Sequence, residues 1–512
     1  MWLLKNQKAV VILILAVFGG THTTAAKDSD EIPDRVFPYK AYSETEIKEA
    51  IKTPLTLEHC IAIALAKNIS LKLVQGDLNK AGAAHSGAYS IFFPVFSIEG
   101  IKENTDQKLI PRSPNPDSIT TLNPIRNQAL VGRLTQLLPT GAVLDFATDL
   151  RSDINAPDRF EQPDKTKNRL FSVTVTQPLL RGAWPKVVRS PISTANYERQ
   201  MQNEQLFDQK LQTVFLVKSA YYEVLLQREL IRVNQSALDR DSTLLAASES
   251  KVMAKLATRR DVLSAEIQLA TDKAALIKSH TDYQFALDGL KEVLGLPINL
   301  PIDLADAELD YSPHVLNEQV LTEQALLMNP SLYSANVAIN RSKLQLSVAK
   351  NTRLPQLDLI ATYNRNFESE LPSDPTDNID RHINGWEASF SFSYPFLNRD
   401  AVTKAEVAAI DLSQQQDRYL ILRRQIEVEI RRIVREIYST IEEITSLQRS
   451  IEAAEQKVAF ASTMFNLGRA SNLDITDAQE ALLKAQTQYV QKLVNYHIQL
   501  ALLESLTGQP VK

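Results

Sequence analysis

Between Ala401 and Leu506 the chain runs without a proline and with a single glycine, Gly468. A run of that length without breakers is helix, because proline would remove a backbone donor and glycine would loosen the turn. Inside it Ile426, Ile430, Ile433, Ile437, Ile441, Ile444, Leu447, Ile451, Ala454, Val458, Ala461 and Phe465 follow one another at steps of three or four. That is the period of a coiled-coil seam. At about 1.5 Å per residue the part before Gly468 reaches roughly 100 Å, far more than a globular core needs, so the helix is a strut. The chain folds back over Asn466 to Ser471, where Gly468 relaxes the backbone and Ser471 with Asp474 opens a second helix as a capping box. The expected object is a giant antiparallel helical hairpin.

The first half of the chain carries the same object. Residues 192–296 contain no proline, and the first glycine after Gly182 is Gly289. Thr258 with Asp261 repeats the capping box, and Asp261 to Gly295 matches Asp474 to Gly508 without a gap at an offset of 213, with Tyr283 and Tyr496 in register. Further upstream, Ala64 to Leu71 matches Ala325 to Leu332 at an offset of 261, and the same offset carries Pro94 onto Pro355. The chain is a tandem duplication. Its expected divisions are a leader at 1–26, a polar segment at 27–53, a first repeat at 54–296, a linker at 297–317, a second repeat at 318–508 and a tail at 509–512.

Residues 1–26 place Lys5 and Lys8 ahead of an apolar core from Ala9 to Phe18, then small residues ending at Ala25 and Ala26. This is the pattern of a secretory signal peptide, with an apolar core too short to span a bilayer. The single cysteine, Cys60, has no partner within the chain and sits among Ile61, Ile63 and Leu65, so a buried, inert thiol is expected. A net charge of −5 offers no basic footprint for nucleic acid. No later apolar run is long enough to cross a membrane as a helix, so any membrane passage uses strands.

Strands are present between the helices. Trp386, Ala388, Phe390, Phe392 and Tyr394 alternate with Glu387, Ser389, Ser391 and Ser393. Leu357, Leu359, Ala361 and Tyr363 form the matching face of a partner strand, with Asp358, Thr362 and Asn364 opposite. The first repeat offers Phe96, Ile98 and Ile101, then Phe171, Val173 and Val175 against Ser172, Thr174 and Thr176. One greasy and one wet face over about ten residues is what a membrane barrel strand requires. Four strands per chain cannot close, and open edges in lipid are costly, so three copies giving about twelve strands are expected. The first strand pair is separated by a longer insertion, 103–168, in which Leu130 to Leu138 and Val143 to Leu150 flank Pro139-Thr140-Gly141 as an additional hairpin. That hairpin either enlarges the barrel or extends it outward.

Nothing in the sequence points to catalysis, a cofactor or a metal. His59, His85, His280, His314, His382 and His497 are isolated, with no HExxH spacing, no phosphate loop and no GxSxG elbow. Arg423, Arg424, Arg431, Arg432 and Arg435, interleaved with Glu427, Glu429 and Glu436, read as a solvated, salt-bridged helix face.

Taken in order, the helix starts at Asn68 and Asn329, the strand entries at Pro94 and Pro355, the strand exits Gln177-Pro178 and Tyr394-Pro395, and Phe465-Asn466-Leu467-Gly468 followed by Asp474 resemble the TolC family of outer-membrane efflux and export channels. The resemblance covers nearly the whole chain after residue 26. It implies an α+β fold: long coiled-coil hairpins form a periplasmic tunnel continuous with a trimeric transmembrane β-barrel of about four strands per chain. It also implies a homotrimer in outer-membrane lipid that serves as the exit duct of a tripartite efflux or type I secretion system, working with a periplasmic adaptor and an inner-membrane pump. The adaptor would dock around 250–260 and 462–474. The family's constriction aspartates fall on Asp474 and Asp477, its gating tyrosine on Phe465 and its gating arginine on Ala470. With no hydroxyl and no charge at the last two positions, Arg469, Arg259 or Arg260 is left to supply the cation, and Asp261 matches the acidic position of the first-repeat tip. The residues themselves add that Asp474 and Asp477 lie three apart, on one helix face, where threefold symmetry would gather six carboxylates. Asp474 is also the capping acid. The rival from another class is a periplasmic coiled-coil scaffold or adaptor with no pore, which would have no use for the greasy strand faces.

Overall fold

The computed structural model describes residues 37–108, 122–155, 164–255, 257–305, 309, 311–371 and 379–510. The expected signal peptide, residues 27–36 of the polar segment after it, and the insertion's 109–121 and 156–163 lie outside the described residues. The chain divides into two units, Met1–Lys40 and Ala41–Lys512. In the first, the Phe37 and Tyr39 rings meet edge-on at 6.0 Å. The second contains every element below.

Its helices are α1 (Glu44–Ala50), α2 (Leu57–Lys67), α3 (Ile69–Ala88), α4 (Pro185–Val188), α5 (Ser190–Met253), α6 (Arg259–Leu294), α7 (Glu318–Met328), α8 (Pro330–Thr352), α9 (Arg399–Asn466) and α10 (Asn472–Thr507). The two struts are α9, with 68 residues, and α5, with 64, each returning through a helix of 36 residues. The asparagines shared by the two repeats are helix caps: Asn68 Oδ1 accepts from Leu71 N at 3.1 Å, and Asn329 Oδ1 accepts from Ser331 N at 3.0 Å.

The seam is buried where its spacing places it. Ile430, Ile433, Ile437 and Ile444 of α9 are sealed against Leu493, Tyr496 and Leu503 of α10 and against Leu321 and Ala325 of α7. Each such isoleucine contributes about 1.5–3 kcal/mol of burial. Two tyrosine hydroxyls tie the linker to this core. Tyr496 donates to Ser312 O at 2.8 Å and accepts from His314 N at 3.1 Å, while Tyr438 donates to Leu316 O at 2.9 Å. Cys60 is fully buried in α2.

The strands β1 (Val95–Lys108), β2 (Leu122–Leu137), β3 (Val143–Asn155), β4 (Asp164–Pro178), β5 (Gln356–Leu371) and β6 (Ile379–Ser393) form one antiparallel sheet in sequence order. The expectation of about four strands per chain is corrected to six. Instead of pairing with each other, β1 and β4 are separated by the insertion's own hairpin, which pairs with β1 on one side and β4 on the other. Strands consecutive in sequence tend to be neighbours in a sheet, and here the added hairpin takes both places.

Register makes the two faces explicit. Phe96, Leu134, Phe146, Val173, Tyr363 and Trp386 stand opposite one another in a single row across all six strands. On the other face Thr135, Asp145, Thr174, Thr362 and Glu387 form a polar row, in which Thr135 donates to Asp145 at 2.8 Å. Ile101, expected beside Phe96 and Ile98, lies on the polar face instead, because β1 runs without a bulge and Lys102 takes the outward place. The apolar face of β5 runs from Leu357 to Tyr363, is interrupted by Arg365 and resumes at Phe367, an extent of roughly 25 Å at a tilt of about 40°. Among the described residues no helix is long and apolar enough to cross a membrane.

Candidate functional site at the helical tips

Both hairpins reverse at the ends of the struts farthest in sequence from the strands. In the second repeat α9 closes with Gly468 N donating to Phe465 O at 3.0 Å and Arg469 N donating to Met464 O at 2.8 Å. Gly468 sits at φ +70°, a left-handed position that a side chain would strain. The Ser471 N–H and hydroxyl both donate to one oxygen of Asp474 at 2.8 Å, which holds that carboxyl below the usual range. In the first repeat Thr258 donates to Asp261 through its N–H at 2.9 Å and its hydroxyl at 2.7 Å, with the same effect on the acid. Both capping boxes read from the sequence are formed.

The two tips are joined by polar links. Lys251 of α5 donates from Nζ to the carbonyl of Phe465 and stands over that residue's ring, 3.3 Å from its centre. Asn472, the first residue of α10, donates to Ser248 Oγ at 2.7 Å and to Asp261 O at 2.8 Å. Beneath these links lies a small core of Leu244, Ala265, Ala461, Phe465, Ile475 and Ala478.

Asp474 and Asp477 are exposed on α10, flanking the buried positions Asn472, Ile475 and Ala478. Asp474 serves as the cap, and Asp477 is paired with Lys457 Nζ of α9. Arg259, Arg260 and Arg469 are exposed, and among the described residues none of their side chains makes an ion pair. The cation that meets Phe465 within one chain is therefore Lys251, a residue the sequence reading missed. It corresponds to Met464 at the repeat offset, so the duplication carries no signal for it.

Higher on the same helices, Asp241 of α5 and Asp272 of α6 are both buried. Gln268 donates to Asp272 Oδ1 at 3.2 Å, and among the described residues Asp241 Oδ2 meets no hydrogen-bond donor. Burial first, then Asp272 and Glu480, push the Asp241 carboxyl up to about 7 against the pull of Arg240. Among the described residues no group of three or more His, Cys, Asp or Glu side chains could hold a metal. The tip is equipped to hold two hairpins together through bonds that water can replace.

A sheet with one lipid-compatible face, rooted on paired struts of this length, is the build of a channel anchored in a membrane by a β-barrel. The chain belongs to the outer membrane efflux protein family, whose model matches residues 144–296 and 321–509. It is 27% identical over 214 residues to the protein CyaE of Bordetella pertussis, covering 41% of this chain and 44% of that one. It is 23% identical over 312 residues to the outer membrane protein TolC of Escherichia coli, covering 58% of this chain and 62% of that one. The matched part thus spans roughly half the length of these relatives. In fold it is similar to the outer-membrane channel OprN, with a TM-score of 0.66 at 15% identity over 92% of this chain and 94% of that one. The outer membrane protein VceC of Vibrio cholerae gives 0.62 at 17% identity over 89% and 97%. Membership of this family places the protein in the outer membrane, and the solved neighbours share its fold.

Proposed function

We propose that three copies form a passive exit duct whose helical tips close it on the periplasmic side, and that it receives substrates from an inner-membrane pump through a periplasmic adaptor. The observation that carries this reading is the pair of links between hairpins, Lys251 to Phe465 and Asn472 to Ser248 and Asp261, at the ends of the struts. Bonds of this kind are strong enough to hold a closed state and weak enough to yield to a partner. Exposed Met253, Leu467 and Leu473 at the same tips support docking of an apolar adaptor surface there. Asp474 and Asp477 line the constriction in this reading, with Lys457 offsetting Asp477 inside each chain.

The test is single-channel conductance of the purified protein in a planar bilayer, wild type against Asp477→Asn. The substitution leaves the Lys457 ammonium without its carboxylate, so a small cation-preferring conductance is expected to become less cation-selective. Unchanged selectivity removes Asp477 from the constriction. A silent bilayer with protein that stays soluble favours a scaffold without a pore.

A further inference from the structure

The proposed threefold assembly leaves the insertion's hairpin to be placed, and the sheet itself places it. β2 pairs with β1 over the full length of β1, from Val95 opposite Thr135 to Lys108 opposite Leu122. β3 pairs with β4 from Val143 opposite Thr176 to Asn155 opposite Asp164. Removing the hairpin from the sheet would strip both ladders, and β1 and β4 would have to re-form a ladder with each other, because backbone groups left unpaired at membrane depth cost several kcal/mol each. The apolar row also runs through it without a break, since Leu134 and Phe146 stand between Phe96 and Val173.

The turn of the hairpin points toward the helices, away from the outer loops. Leu138 N donates to Ala142 O at 2.7 Å, Gln177 Nε2 donates to Thr140 O at 3.3 Å, and Gln136 Nε2 donates to Phe92 O at 3.3 Å. Ala142 is buried, and Gly141 at φ +88° is packed so closely that a Cβ there would come within 2.4 Å of Gly182 O. A turn wedged against the helix roots is built into the wall.

The outer edges are β1 and β6. They have 14 and 15 residues, and with an even number of alternating strands β6 of one copy meets β1 of the next antiparallel. Both edges carry exposed apolar side chains on the same face, Phe96 and Ile98 on β1 and Trp386 and Phe390 on β6. We propose that the β2–β3 hairpin is part of the barrel wall, so that three copies joined β6 to β1 close eighteen strands in place of twelve. At a strand spacing of about 4.8 Å and a tilt of about 40°, the backbone radius rises from roughly 12 Å to roughly 18 Å, and the cross-section roughly doubles. The outer end of the duct is then wide, and any selection of cargo falls to the tips.

Electron cryo-microscopy of the full-length protein in lipid nanodiscs counts the staves directly. A threefold ring of eighteen, with β2 and β3 between β1 and β4, is expected. A threefold ring of twelve with the hairpin outside the wall overturns this inference and leaves the threefold reading standing. A twelve-stranded ring of two copies overturns both. Cross-linking in native membranes gives a second readout. In a Cys60→Ala background, Ser97→Cys is combined in turn with Gly385→Cys, Ser389→Cys or Ser391→Cys, all on the polar face. Covalent trimers in at least one register are expected, and no linkage between copies in any register overturns the pairing of the edges.

Discussion

Replacing Lys251 by Met keeps most of the apolar stem and removes the ammonium that joins α5 to Phe465. Two interactions are lost, a hydrogen bond from a charged donor and a cation over an aromatic face. The first contributes about 1.5–3 kcal/mol, and the second about 0.5–1 kcal/mol at a site open to water. Because Lys251 is only half-buried, the lower ends apply, and the loss is about 2 kcal/mol in each chain. If the link is absent once the tips part, the balance between closed and parted tips shifts by about 30-fold for each chain. The assay is the open probability of single channels in a planar bilayer at constant voltage. Phe465→Leu retains the carbonyl and loses the ring, so a double-mutant cycle isolates the ring's share at about 0.5–1 kcal/mol. Desolvation lowers the Lys251 pKa, so raising the pH discharges this lysine earlier than a solvated one and favours opening. An open probability that Lys251→Met leaves unchanged, with no coupling to Phe465, would refute the role of this contact in holding the tip.

Two further outcomes concern stability and reactivity. The Asp241 carboxyl is raised to about 7, so the folded chain keeps a proton that the unfolded chain has released; stability conferred by α5, α6 and α10 therefore falls as pH rises from about 4 to about 7 and is flat above that. Asp241→Asn, which can donate toward Asp272, is expected to raise the helical melting temperature at pH 8 and to leave it nearly unchanged at pH 4, and a parallel shift at both pH values would contradict the assignment. Burial pushes the Cys60 thiol up to about 12, so a thiol reagent at pH 8 should label it only after denaturation; stoichiometric labelling of the folded protein would show that α2 is open.

The parts of the fold legible in the sequence are those with a strict period. The α9 seam and the facing of β5 on β6 were readable because side-chain direction follows from spacing alone, and Tyr363 stands opposite Trp386 as alternation requires. Both capping boxes were readable because each is complete within four residues. The strand order was less so. Alternation in β1 and β4 is the same whether they pair with each other or with an inserted hairpin, and the choice depends on loop lengths and turn packing that hydrophobic pattern does not encode. Ile101 was misplaced for a related reason: above Gly100 the outward positions turn polar, so the apolar pattern stops reporting the pleat. Lys251 was invisible because its contact spans 214 positions and depends on how α5 lies beside α9.

The two ends of the seam are held very differently, and this bears on where the structure can yield. Near the linker, α9 and α10 bury large aliphatic side chains together with Tyr496, and tyrosine hydroxyls fasten the linker to them. At the tip the buried cluster is small, and Ala265, Ala461 and Ala478 make up half of it. Each alanine buries too little apolar surface to resist separation strongly, so cohesion there rests more on Lys251 and Asn472 than on packing. Water can satisfy those donors when the hairpins part, whereas it cannot replace the contacts of Ile430, Ile433 and Ile437. The same period-seven strut is therefore stiff where the repeats join and compliant where they turn. Substituting a larger apolar residue for Ala461 or Ala478 would change that gradient more directly than any change to the exposed carboxylates of α10.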